Sequence, residues 1–141
     1  DQLNVFPLQD DPFVAVIHSD DPLAASAHLP WKQLAGRDIA VFSKGNIQRL
    51  VAALAESHRL SLPTRYQVDY IETLYGLVRS KLAVAILPQL YTTHLQDPQL
   101  RVVHLQQPAL ARTVALMRAP QPLPPLIESC FTLMADTLRT K

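Results

Sequence analysis

Ile71-Glu72-Thr73-Leu74-Tyr75-Gly76-Leu77-Val78-Arg79-Ser80-Lys81-Leu82-Ala83-Val84-Ala85-Ile86-Leu87-Pro88 changes its hydrophobic period halfway along. Up to Ser80 the apolar residues Ile71, Leu74, Leu77 and Val78 recur at the spacing of one helical face. From Leu82 every residue is apolar until Pro88 closes the run, as in a strand buried on both faces. The same alternation lies upstream. Residues 38–42 read as a strand, residues 46–58 place Ile47, Leu50, Val51 and Leu54 on one helical face, and residues 64–68 read as a strand again. Residues 13–17, 83–87, 101–105 and 113–118 complete the candidate strands. The tail from Leu126 carries Ile127, Cys130, Phe131, Met134 and Leu138 as a broad apolar stripe, a docking helix. Strand, helix, strand, helix, strand predicts a right-handed, mostly parallel α/β sheet. Ligands of such sheets collect at the carboxyl ends of the strands, where helix N-termini present free N–H groups.

The rest of the chain fits one soluble core. At 141 residues it can bury a single core without staples, and 48% hydrophobic with 18% charged residues fits neither a disordered chain nor a membrane protein. Thirteen basic against twelve acidic residues leave a formal charge of +1 with no basic stripe, so the chain itself is a poor nucleic-acid binder. The single cysteine, Cys130, excludes an internal disulfide and a cysteine metal cluster, which points to the cytoplasm. The run 82–88 is too short to span a bilayer. Asp1, Asp10 and Asp11 stand where a signal peptide wants cations, and a chain that opens on Asp1 reads as a processed product or a piece of something longer. Three glycines against twelve prolines shift the ending of elements onto proline, so the prolines at 12, 22, 63, 88, 98 and 108 read as boundaries. Residues 119–125, with four prolines, read as an extended connector.

Few residues carry a chemical signature. Ser43 stands where an esterase nucleophile would, but Val41 occupies a place the nucleophile elbow reserves for glycine, so a helix cap accounts for it. The five histidines, at 18, 28, 58, 94 and 104, lack the close helical spacing that brings two imidazoles to one metal. Asp10-Asp11 and Asp20-Asp21 each run into proline and read as turn carboxylates. Asp69 and Glu72 read as an acidic capping box. There is no phosphate loop, dinucleotide fingerprint or cysteine nucleophile signature, and no catalytic residue, metal or cofactor is expected. The loop Phe42-Ser43-Lys44-Gly45-Asn46 combines small polar groups, one flexible glycine and one cation at a strand-to-helix junction, a fit for an anion.

Taken in order, Asp21-Pro22-Leu23-Ala24 after strand 13–17, then Trp31-Lys32-Gln33-Leu34, then Leu77-Val78 leading into Ala83-Val84-Ala85-Ile86-Leu87-Pro88, resemble the effector-binding domain of LysR-type transcriptional regulators over nearly the whole chain. Two positions depart from the family pattern: Lys81-Leu82-Ala83 replaces Gly-Leu-Gly, and Asp21 replaces the histidine before Pro-Leu-Ala. The resemblance implies a periplasmic-binding-protein-like (type 2) fold, a mixed, mostly parallel sheet flanked by helices. It implies a first crossing segment at 1–17, regulatory subdomain II at 18–112, and at 113–141 the second crossing strand with a return into subdomain I. It further implies a non-enzymatic sensor that holds a small-molecule effector between subdomains, forms homo-oligomers, and meets DNA only through a helix-turn-helix domain outside this chain. The ligand-facing residues it implies are Ser43, Lys44, Gly45, Asn46, Tyr70 and Ile71. The guest expected there is a small carboxylate, with an amino-bearing or neutral molecule as the fallback because Asp69 and Glu72 stand close by. The competing readings are a small α/β hydrolase or transferase fragment using Ser43 or a carboxylate, and an exported solute-binding protein.

Overall fold

The computed structural model describes residues 4–118 and 124–139. The chain divides into two compact units, residues 12–110 and residues 1–11 with 111–141.

The larger unit is a sheet in the order β2-β6-β1-β5-β3-β4. The strands are β1 (Asn4–His18), β2 (His28–Pro30), β3 (Ile39–Phe42), β4 (Thr64–Val68), β5 (Val84–Pro88) and β6 (Leu100–Gln106). Helix α1 (Ile47–Ser57) joins β3 to β4, and α2 (Ile71–Arg79) joins β4 to β5. Pairs β3/β4, β3/β5 and β2/β6 are parallel. Strand β1 runs antiparallel to both its neighbours, β5 and β6. Thus the sheet is mixed, with parallel pairing over β5-β3-β4.

Burial follows from position. Every residue of β3 and β5 is buried, as expected of strands with neighbours on both sides and helices packed on them. Strand β4, at the edge, alternates between half-buried and exposed. Helix α1 turns Ile47, Val51 and Leu54 inward and α2 turns Leu74, Tyr75 and Val78 inward. Because β4 lies on one side of β3 and β5 on the other, two right-handed crossovers place α1 and α2 on opposite faces.

Strand β1 corrects one boundary. Pro12 was expected to end an element, yet β1 runs through it, and Phe13 N–H beyond it donates to the Leu110 carbonyl at 2.8 Å. Asp11 is therefore a buried strand residue, not a turn residue, and its carboxylate meets Arg112 Nε at 3.0 Å. The short strand β2 and the 3₁₀ turns Pro22–Ala25, Trp31–Leu34 and Gln89–Thr92 are shorter than any periodicity can signal. Asp21 does behave as a turn carboxylate, accepting the Leu23 N–H at 3.0 Å.

In the smaller unit β7 (Ala111–Arg118) pairs with β1, and α3 (Pro125–Arg139) follows. The stripe expected on α3 is split: Phe131 is half-buried, while Ile127, Cys130 and Met134 stay exposed beside Leu126 and Leu133; Ala135, not part of the expected stripe, is buried. Of the proline-rich connector, residues 119–123 lie outside the described residues.

Candidate functional site

Strands β3 and β4 are neighbours whose outgoing helices leave toward opposite faces. In open α/β sheets a crevice opens beyond the carboxyl ends of such a pair. Phe42 and Val68 pair in register at those ends, and the next residue of each strand extends the contact. Ser43 N–H donates to the Val68 carbonyl at 2.8 Å, and Ser43 Oγ donates to Asp69 Oδ1 at 2.6 Å.

Beyond Ser43 the chain must turn sharply into α1. Gly45 and Asn46 do this with consecutive positive φ of 75° and 59°, a geometry glycine takes freely and asparagine better than most residues. Asn46 is the residue before α1 but its side chain does not cap the helix, and Tyr70 before α2 makes no side-chain cap either. Both helices thus open on the crevice with first-turn amides that no N-cap side chain takes.

Two expectations fail here. Asp69 does not cap α2, because the helix starts one residue later than a capping box needs, which leaves its carboxylate for Ser43. Glu72 instead lies 3.7 Å from Arg79 along the helix. Ser43 is likewise not a cap; its hydroxyl proton is committed across the junction. A hydroxyl held directly by a carboxylate, with no imidazole between, is oriented without being made a strong nucleophile.

The expected residues divide accordingly. Ser43, Gly45, Asn46 and Tyr70 stand at the mouths of the two helices, with Tyr70 exposed and Ile71 half-buried against the core. Lys44 is exposed, its ammonium 5.9 Å from the centre of the Phe42 ring, and Phe42 meets Tyr91 edge-on at 5.4 Å between ring centres. The missed members are Asp69, as the acceptor of the Ser43 hydroxyl, and Tyr91. Their proximity rests on strand pairing, which leaves no local trace in sequence.

Two clefts lie on this unit, one away from the β3 and β4 junctions and one adjoining them at Ile71 and Tyr91. One, of about 420 Å³, sits at the amino ends of β3 and β5 among His18, Asp21, Arg37, Lys81 and Leu82. Burial pushes the Asp21 carboxyl up, but hydrogen bonds from Arg37 and the Leu23 N–H, with the charge of Arg37, outweigh it and hold the group below its ordinary range. The other, of about 320 Å³, lies among Tyr75, Arg79, Tyr91, Leu95 and Asp97. Tyr75 donates its hydroxyl to the Tyr91 carbonyl at 3.0 Å, and burial, with the nearby charge of Glu72, pushes its pKa above the ordinary tyrosine range and makes it harder to ionise. Among the described residues no group of three or more histidines, cysteines or carboxylates is arranged to hold a metal, and no helix is long and apolar enough to cross a membrane.

Residues 1–139 match the family model of the LysR substrate binding domain. The chain belongs to this family. It is 29% identical over 132 residues to the uncharacterized HTH-type transcriptional regulator YbhD of Escherichia coli K12, covering 92% of this chain and 42% of YbhD. It is also 29% identical over 132 residues to the HTH-type transcriptional regulator CatR of Pseudomonas putida, covering 92% of this chain and 45% of CatR. The chain therefore spans less than half the length of these LysR-family relatives. Among solved structures, the fold is similar to the Synechocystis PCC6803 CcmR regulatory domain in complex with 2-PG, with TM-score 0.83, 18% identity, and coverage of 98% of this chain and 68% of that one. It is similar also to the effector binding domain of QuiR in complex with shikimate, with TM-score 0.78, 17% identity, and coverage of 98% and 66%. These likenesses show the periplasmic-binding-protein-like fold of LysR effector domains, with Lys81 in place of the family glycine still in left-handed geometry, at φ 60°.

Proposed function

We propose that this chain is the effector-sensing part of a LysR-type transcriptional regulator, taking a small carboxylate at the mouths of α1 and α2. The observation that carries this reading is the joined pair of junctions beyond β3 and β4, where two uncapped helix N-termini open beside the Ser43–Asp69 contact. Helix amides suit an anionic group. Asp69 repels one unless its free oxygen accepts from a ligand donor, so a carboxylate that also bears hydroxyl or amino groups fits better than a bare one. Shikimate, bound by the similar QuiR domain, is a hydroxylated carboxylate of this kind.

The sensing residues are Ser43, Lys44, Gly45, Asn46, Tyr70 and Ile71. They belong to regulatory subdomain II, residues 18–112, entered by the crossing segment 1–17 and left by 113–141; the compactness of residues 12–110 supports this division. The chain acts in the cytoplasm as part of a homo-oligomer that reaches DNA through a helix-turn-helix domain. It performs no catalysis of its own. An effector biases the regulator only by its difference in affinity for two arrangements.

The test begins with a thermal-shift screen of small carboxylates, shikimate included, against the full-length regulator, followed by calorimetry on the compound that binds. With its proton donated to Asp69, Ser43 Oγ can accept from a ligand hydroxyl or amino group, so Ser43→Ala should cost about 1 kcal/mol of affinity, roughly five-fold, the usual size of one lost hydrogen bond. Unchanged affinity in both Ser43→Ala and Asn46→Ala places the site elsewhere.

A further inference from the structure

Histidines 28 and 104 are far apart in sequence, and no local spacing relates them. The sheet brings them together. In the parallel pairing of β2 with β6 they stand directly opposite each other, which puts both side chains on one face. Their ring centres are 5.5 Å apart and the ring planes are tilted by 32°. His28 is exposed and His104 half-buried, so solvent reaches the pair. Among the described residues neither imidazole is hydrogen-bonded to another group.

We propose that His28 and His104 form a two-histidine binding site for a divalent transition-metal ion of the zinc type. Imidazole is a preferred ligand of zinc, copper and nickel, and with metal–nitrogen bonds near 2.0–2.1 Å two rings on one ion have centres roughly 5 Å apart. The observed separation therefore needs only small side-chain rotations. Waters fill the remaining positions, as suits a pair with no third protein ligand beside it among the described residues. The other histidines of the described chain lack this arrangement: His18 is buried with Nδ1 accepting the Asp20 N–H at 3.0 Å, while His58 and His94 stand exposed and single.

Preorganisation gives the pair its advantage over a lone surface histidine. Once one imidazole holds the ion, the sheet presents the second at an effective concentration of millimolar or higher. The bound ion also ties β2 to β6, and the chain's single tryptophan, Trp31, lies fully buried immediately after β2. Its fluorescence reports whether that region is folded.

The experiment is calorimetric titration of Zn²⁺ into the 141-residue chain at neutral pH, with urea unfolding followed by Trp31 fluorescence, with zinc and with chelator. One equivalent should bind with a dissociation constant on the order of micromolar to tens of micromolar, and zinc should raise the urea midpoint. His28→Ala and His104→Gln should each weaken binding by about ten-fold or more and abolish the zinc-dependent rise. His58→Ala and His94→Ala should bind as the parent chain does. Exposed His28 can be removed without disturbing the core, so the zinc-free midpoint of His28→Ala serves as the folding control. Absence of binding below millimolar zinc, or parental affinity in His28→Ala, overturns the site.

Discussion

At the scale of single residues, the shortage of glycine leaves a mark. Helices α1 and α2 both end in a Schellman turn: Leu60 N–H donates to the Ala55 carbonyl at 2.8 Å, and Leu82 N–H to the Leu77 carbonyl at 3.0 Å. The left-handed residue each turn requires is Arg59 in one and Lys81 in the other, with φ of 53° and 60°. A side chain in this region costs about 1–2 kcal/mol relative to the right-handed one. Arg59→Gly should therefore stabilise the chain by about 0.5–1 kcal/mol, part of the relief being offset by the freedom glycine gains when unfolded. The check is the urea midpoint, and a lower midpoint in Arg59→Gly would show that its side chain does more than tolerate the turn. Lys81→Gly should gain less, because Lys81 Nζ meets Asp20 Oδ2 at 3.1 Å.

Among the elements, α3 is the least satisfied. Leu126 and Leu133 are 77% and 67% exposed, and Ile127 and Met134 lie beside them about two helical turns apart. This is an apolar seam of the spacing two helices use to pair. The chain should self-associate through it. Sedimentation at increasing concentration should show a rising mass, and Leu126→Glu with Leu133→Glu should return the chain to a monomer. A parent chain that stays monomeric at tens of micromolar disproves the pairing. Helical spacing made the stripe visible in sequence, but not which side of it would be covered. Phe131 was indistinguishable from Ile127 and Met134 until the helix was placed.

For the whole molecule, two carboxylates tied to distant guanidinium groups should contribute to acid stability. Asp97 is lowered first by the hydrogen bond from Arg79 and then by the Gln99 N–H; Asp21 is held down by Arg37 and the Leu23 N–H against the opposing effect of burial. A folded pKa below the unfolded one contributes stability that is complete above the unfolded value, about 4, and is lost as pH falls through the folded value. The urea midpoint should therefore drop below pH 4 in the parent chain. It should drop less steeply in Asp21→Asn and Asp97→Asn; an unchanged acid limb in both variants would assign it to other groups. These pairs join Asp21 to Arg37 and Arg79 to Asp97, contacts that only the packed unit creates.

The elements themselves were legible because helical and strand periodicity are local. Thr64–Val68 falls where its β-branched and aromatic residues announced it, and α1 and α2 begin and end within a residue of the expected ranges 46–58 and 71–80. The family pattern was legible too, since it is an ordered set of such local signatures. What sequence could not determine was register, the relation of one strand to another. The antiparallel course of β1 between β5 and β6, the hydroxyl of Ser43 on Asp69, and His28 opposite His104 all depend on which strand lies beside which. Backbone hydrogen bonds between strands carry no side-chain code of their own, so these choices follow from burying the shared faces of the whole sheet at once.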